Sequence, residues 1–250
     1  MVDQLILYEA KEDIVYITLN RPEKSNALTL GMAAELEKAW ERFEDDSNAR
    51  VAILSSTGNN FCAGFDLSEG TDRLEALAVA LPANGIKIFK PIIGAVQGWA
   101  VGMGYLLACL GADITIAADN ARFSYPEAKV GVLGGLSMPV YHMPFKKMLE
   151  LHMTGEPVDA GKAYEMGFVN KVVAVSELIS EAKKMADILK ENAPLALRSI
   201  KYAAYKKIHE AASLAAMEYE MFLKRPIESE DMQEGIRAFA EHRKPRYTGK

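Results

Sequence analysis

The chain has 250 residues, half of them hydrophobic, enough for one large core or a core with a small appended unit. Its net charge of −5 at pH 7 argues against nucleic-acid binding through phosphate neutralisation, which needs a basic face. The cysteines, Cys62 and Cys109, make no disulfide framework, and no basic start leads into an apolar leader, so a soluble cytoplasmic protein is expected.

Residues 14–19 are β-branched and aromatic and stop at Asn20-Arg21-Pro22, which predicts a strand closed by a turn. Leu28, Met32, Leu36, Trp40 and Phe43 then recur at helical spacing, with charged residues on the other faces. Residues 51–54 read as a buried strand ended by Thr57-Gly58-Asn59-Asn60, and residues 91–96 and 113–117 as two more. A short helix is expected over 105–110, starting from the glycine turn Gly102-Met103-Gly104. The apolar window from 92 to 118 is interrupted by Gly94, Gln97, Gly98, Gly102, Gly104, Gly111 and Asp113, so it predicts core rather than a membrane span. Residues 122–124 predict a strand, followed by a loop carrying Pro126 and Glu127. Helical patterns over 159–166, 176–191, 195–207, 210–223 and 231–243 dominate after residue 155, with one strand signal at 169–173. Strands alternating with helices predict an α/β architecture, read as a core to residue 190 and a helical module over 191–250.

The chemistry concentrates between Phe61 and Glu127, where glycine turns abound and acids are few; residues 85–112 contain no Asp or Glu. A carbonyl oxygen that gains negative charge needs preorganised N–H donors, and small residues let backbone approach a ligand closely. Ala63-Gly64-Phe65 and Gly102-Met103-Gly104 are candidate donor turns, the second reinforced by the helix that follows it. On local sequence alone, close packing of strand and helix is the commoner use of such glycines, and a lone Glu127 is more often a solvated acid. His142, His152, His209 and His242 lack ligand spacing, so no metal site is expected. Neither a P-loop nor a dinucleotide fingerprint is present. Cys62 has no basic partner in sequence and reads as a structural thiol.

These segments, taken in order, resemble the crotonase, or enoyl-CoA hydratase/isomerase, superfamily. The resemblance rests on Asn20-Arg21-Pro22 with Asn26-Ala27-Leu28, on 61–67 (Phe-Cys-Ala-Gly-Phe-Asp-Leu), and on Lys90-Pro91 leading to 98–104 (Gly-Trp-Ala-Val-Gly-Met-Gly). It continues through Ala112-Asp113, 117–123, Pro126-Glu127, Thr154-Gly155-Glu156, 163–170 and the closing 235–239. It implies a superhelix of ββα units with a C-terminal helical trimerisation module, assembling as a homotrimer or dimer of trimers. It implies an acyl-CoA substrate, with coenzyme A arriving as part of that substrate and no separate cofactor. The thioester oxygen would sit between the backbone N–H groups of Phe65 and Met103, and Glu127 would be the general acid/base. Lys24, Ala27, Ala63 and Leu67 fall where such proteins line the coenzyme A path.

In one respect the chain departs from that pattern. Two-acid hydratases of the family carry a first Glu on the helix after the glycine turn. That position falls here at Leu106 or Leu107, because the stretch from Gly104 to Asp113 is one residue longer. A single carboxylate suits double-bond isomerisation, hydration remains the family's commonest reaction, and hydrolysis or C–C lyase chemistry are the neighbouring alternatives. Tyr105, Tyr125, Tyr141 and His142 are candidate second polar groups. A non-catalytic or RNA-binding relative is the contrasting reading, disfavoured by the acidic charge and the presence of Glu127.

Overall fold

Alternating apolar positions build the main sheet. In the computed structural model, which describes residues 4–69, 77, 79–82, 88–131, 143–206 and 229–248, β1 (Ile6–Lys11) and β2 (Ile14–Leu19) form an antiparallel hairpin. β1 gave little sequence signal, since only Ile6 of its six residues is buried. Then come α1 (Leu30–Asp45), β3 (Val51–Ser56), β4 (Ile92–Val96), β5 (Trp99–Val101), α2 (Met103–Leu106), β6 (Ile114–Ala118) and β7 (Arg122–Ser124). The remainder is α3 (Phe145–Thr154), β8 (Val158–Asp159), α4 (Ala160–Met166), β9 (Lys171–Val173), α5 (Leu178–Lys190), α6 (194–206) and α7 (Glu230–Ala240).

A six-stranded sheet runs β1-β2-β3-β4-β6-β9, parallel from β2 onward, and a three-stranded sheet runs β5-β7-β8. Both faces of the larger sheet are covered, as a parallel sheet requires. Val15, Ile17, Leu19, Ala52, Leu54 and Val96 point into the main core with the α1 stripe, in which Met32, Leu36, Trp40 and Phe43 are completely buried. Their strand neighbours Ile14, Val51, Ile53, Ile93 and Ala95 turn to the opposite face and meet Leu178, Ala182 and Ala186 of α5. Thr29 caps α1 by accepting the Met32 N–H at 3.0 Å. Helix α6 is tied to the loop before β6 by Lys201, whose Nζ lies 2.7 Å from Asp113, and to α1 by the Arg198–Glu44 pair.

Several expectations change in detail. The helix expected over 105–110 starts at Met103, and its second half, Leu107–Gly111, is a π-helical turn. A π-turn accommodates one residue more than an α-turn. The carbonyl of Ala108 is met by the Thr115 hydroxyl at 2.5 Å. Helical structure also begins before residue 155, at α3, while the strand expected over 169–173 shortens to three residues. The segment after β7 is a 3-10 turn, Pro126–Val130, rather than a plain loop. The helix expected over 210–223 lies outside the described residues, as do Tyr141, His142, His209, Met217, Tyr219, Met221 and Phe222. Among the described residues no helix is long and apolar enough to cross a membrane.

Candidate active site

Three chain segments far apart in sequence become parallel neighbours. Cys62 bridges Ala100, its N–H donating to the Trp99 carbonyl at 3.0 Å and its carbonyl accepting the Val101 N–H at 2.9 Å. On the other edge, β5 pairs with β7 in the register Trp99↔Arg122, Ala100↔Phe123, Val101↔Ser124. All three run the same way, so they emerge together as Ala63-Gly64-Phe65, Gly102-Met103 and Tyr125-Pro126-Glu127. A site at the carboxyl ends of parallel strands is the usual outcome of such an arrangement.

Glycines let the turns close on one another. A Cβ at Gly104 would lie 2.3 Å from the Cys62 carbonyl oxygen, and one at Gly64 (φ +95°) would lie 3.0 Å from that of Val101 and 3.9 Å from the Met103 nitrogen. The Phe65 turn is pinned from its other side, where Leu28 donates to the Gly64 carbonyl at 2.7 Å and accepts the Asp66 N–H at 2.9 Å. That pairing spends the amides on either side of Phe65. The backbone N–H groups of Phe65 and Met103 themselves have no acceptor among the described residues. Two unsatisfied donors on adjacent turns, one at a helix start, are what an oxyanion hole consists of.

Glu127 stands beside them. A Cβ at Gly102 (φ +52°) would fall 2.5 Å from Glu127 Oε1, so the carboxylate lies directly on Gly102, one residue before the Met103 donor. The residue keeps slight exposure, yet its Oε2 is buried and has no hydrogen-bond partner among the described residues. Burial pushes the carboxyl up to about 7, opposed by a hydrogen bond from its own backbone N–H. A carboxyl poised there exchanges protons readily in both directions at neutral pH.

The wall behind Glu127 is aromatic. Tyr105 is completely buried, bonds His152 Nε2 at 3.2 Å and meets the Tyr125 ring edge-on at 5.8 Å. His152 stacks on Tyr125 at 4.2 Å, and burial drives its pKa down to about 4, so the imidazole is neutral at pH 7. Burial raises both tyrosines well above their usual range and keeps them protonated. Leu106 and Leu107 are buried and apolar, so α2 brings no carboxylate.

Residues 24–28 and 63–67 run side by side, held by Ala63 N–H to the Ser25 carbonyl at 2.9 Å and by the Leu28–Phe65 bridge. Lys24, Ala63 and Leu67 are exposed along this seam, and Ala27 is half-buried. What the sequence did not reveal is the clamp beneath it. Arg21 Nη1 reaches the Ala27 carbonyl at 3.1 Å and Asp66 Oδ2 at 2.6 Å, tying the two loops at the residue after Phe65. Asp66 also accepts from the Ser68 hydroxyl at 2.6 Å, and Ser68 first, then Arg21, hold its carboxyl down at about 2. Asn26 is the hub, fully buried, accepting from Arg21 N–H and donating to the carbonyls of Thr57 and Asn60. Arg21 and Asp66 are 45 positions apart, so no local spacing reports their pairing. Cys62 is buried with its Sγ 3.4 Å from the Gly64 nitrogen, and burial lifts its thiol to about 12, consistent with a structural thiol.

The clamp yields a prediction. Arg21→Gln should lower kcat about tenfold through displacement of the Phe65 donor, with little change in KM. A double-mutant cycle with Asp66→Asn should show coupling of about 1 kcal/mol or more in transition-state stabilisation. Strict additivity would mean the pair does not act through the donor turn.

Known proteins resemble this chain over nearly its whole length. The family model described as "Enoyl-CoA hydratase/isomerase" matches residues 9–250. A carnitinyl-CoA dehydratase from Proteus mirabilis is 35% identical over 269 residues, covering all of both chains. An (E)-benzylidenesuccinyl-CoA hydratase from Thauera aromatica is 32% identical, over 98% of this chain and 99% of its own length. The crystal structure of an enoyl-CoA hydratase/isomerase from Pseudoalteromonas atlantica superposes with a TM-score of 0.86 at 26% identity, covering 98% of this chain and all of that one.

Proposed function

The chain belongs to the enoyl-CoA hydratase/isomerase family, and we propose that it catalyses reversible hydration of an enoyl-CoA through a thioester enolate, with Glu127 as the single acid/base. The observation that carries this reading is the contact of the Glu127 carboxylate with Gly102, beside the unpaired Met103 and Phe65 N–H groups. In the dehydration direction, carboxylate Glu127 takes the α-proton of a 3-hydroxyacyl-CoA. The electron pair moves onto the thioester oxygen, where the two N–H groups hold the charge. As the enolate collapses, the α–β double bond forms and the β C–O bond breaks. Glu127 then passes its proton to the departing hydroxyl, releasing water, and hydration is the reverse. The names of the relatives, dehydratase and hydratase, support this direction. Lys24, Ala27, Ala63 and Leu67 would flank the coenzyme A on the seam between the two loops. Residues 1–190 would form the acyl-CoA-binding core of a cytoplasmic enzyme, and 191–250 the module that assembles trimers.

One observation favours a second reaction. Leu106 and Leu107 supply no second carboxylate to hold a water molecule, and one acid suffices to move a proton between two carbons in 3-enoyl- to 2-enoyl-CoA isomerisation. Incubation with 2-enoyl-, 3-enoyl- and 3-hydroxyacyl-CoA in deuterated water separates the two. Hydration predicts interconversion of 2-enoyl and 3-hydroxy esters with deuterium entering at the α-carbon. Conversion of the 3-enoyl ester alone would assign isomerisation, and no α-exchange with any bound ester would remove the enolate altogether.

A further inference from the structure

The turn that carries Glu127 is short, closed by the Gly131 N–H donating to the Glu127 carbonyl. Pro126–Val130 is five residues of 3-10 helix in which no residue is buried as a whole and only the Glu127 carboxylate reaches inward. Its exposed Lys129–Glu156 pair, at 2.7 Å, contributes little. The turn rests on two neighbours: the end of α3, where a Cβ at Gly155 would lie 3.1 Å from Pro126 Cα, and the C-terminal part of the chain. Gly235 of α7 lies so close that a Cβ there would be 2.2 Å from the Val130 carbonyl oxygen and 2.9 Å from the Tyr247 hydroxyl. Gly131, in the left-handed region at φ +70°, likewise faces the backbone of Asp231 and Met232 with no room for a side chain. After α7 the chain doubles back along the helix. Arg243 forms a fork on Glu234 (2.6 and 3.0 Å), the Arg246 N–H donates to Glu234 at 2.9 Å, and the Thr248 N–H donates to Asp231 at 2.6 Å. Anchored in this way, Tyr247 donates its hydroxyl to the Lys129 carbonyl at 2.6 Å, two residues beyond Glu127.

We propose that residues 243–248 form a brace, with Tyr247 as its tip, that holds the Pro126–Val130 turn and so positions the Glu127 carboxylate against Gly102 and the two backbone donors. Tyr247 is a positioning residue, because it acts on the turn and not on substrate. The inference rests on the role of Glu127 proposed above. Among the described residues, the titratable groups facing Glu127 are Tyr105 from α2 and Tyr125 next to its own turn, both protonated, with His152 behind Tyr125 neutral. No described basic side chain offsets its burial, so its proton affinity reports how dry the turn stays.

The experiment compares the parent with Tyr247→Phe and with a chain ending at Lys244, by two readouts. The first is the carboxyl 13C titration of Glu127, identified by its loss in Glu127→Gln, which requires no turnover. The brace predicts that its midpoint falls by about half a unit or more in both variants, as water reaches the loosened turn. The second is kinetics on the acyl-CoA ester turned over best, where kcat should drop about tenfold with KM changing less than about twofold. An unchanged titration midpoint in Tyr247→Phe overturns the brace even if thermal stability falls. A shifted midpoint with unchanged kcat would instead remove Glu127 from the proposed chemistry. If the truncated chain fails to fold, Tyr247→Phe alone decides, since it deletes one oxygen from an exposed tail.

Discussion

Glu127→Gln should reduce kcat by roughly 10³-fold, the range expected when a positioned acid/base is removed, and at the same time make the folded protein more stable above neutral pH. The carboxyl is buried, its Oε2 has no partner among the described residues, and burial raises its pKa to about 7. A carboxyl whose folded pKa lies above its unfolded value of 4.5 adds nothing unfavourable below pH 4.5, where it is neutral in both states. Its contribution falls as pH rises from 4.5 to 7, and the full cost of the buried charge stands above 7. That cost is of order 3 kcal/mol at pH 8. Glutamine carries no charge, so the variant should melt several degrees above the parent at pH 8 and level with it at pH 4. Calorimetry at the two pH values checks this, and an equal difference at both would show that Glu127 is not a buried titrating group. The same ionisation should appear in kcat/KM for α-proton removal, rising with pH to a plateau around a midpoint near 7.

The second large effect is expected from the smallest substitution. Gly102→Ala places a methyl carbon 2.5 Å from Glu127 Oε1 at a backbone geometry, φ +52° and ψ −115°, that side-chain-bearing residues rarely adopt. Either the carboxylate moves off the turn or the turn rotates and takes the Met103 N–H with it. Loss of one oxyanion donor costs about 10²- to 10³-fold in kcat, and backbone strain adds about 1–3 kcal/mol of destabilisation. Gly167→Ala is the informative comparison. Gly167 also has positive φ, +89°, but a Cβ there meets nothing within 4 Å. It should lose a similar amount of backbone stability and keep its turnover. If both variants keep full kcat, contact between Gly102 and Glu127 plays no part in the reaction.

Much of this protein was legible before folding was considered. The α1 stripe, the buried strands and the glycine turns are local patterns, and each reports a periodicity or a need for small residues that the backbone obeys directly. The glycine turns themselves are visible as places of close backbone approach, but Phe65 and Met103 could be singled out within them only by the family resemblance. Leu106 and Leu107 read as a missing acid only against the family pattern, since two leucines on a short buried helix carry no such signal by themselves. β1 was not legible, since a strand with one buried residue lacks alternation, and α2 was misjudged because its pitch changes at Leu107. Arg21–Asp66, the stacking of His152 on Tyr125 and the reach of Tyr247 to Lys129 leave no local trace.

The amino-acid sequence by itself determined which groups this protein has to work with: two glycine turns where backbone can approach closely, Glu127 in the loop after a strand, and no acid between residues 85 and 112. Only the tertiary structure decided that these groups meet. Parallel pairing of Cys62 with Ala100 and of β5 with β7 sends three separate turns out of the same end of the sheet. Burial there turns an ordinary glutamate into one titrating near 7. Proton affinity and donor geometry depend on solvent exclusion and on distances across the fold. Those are set by contacts between distant residues and not by any local run of the chain.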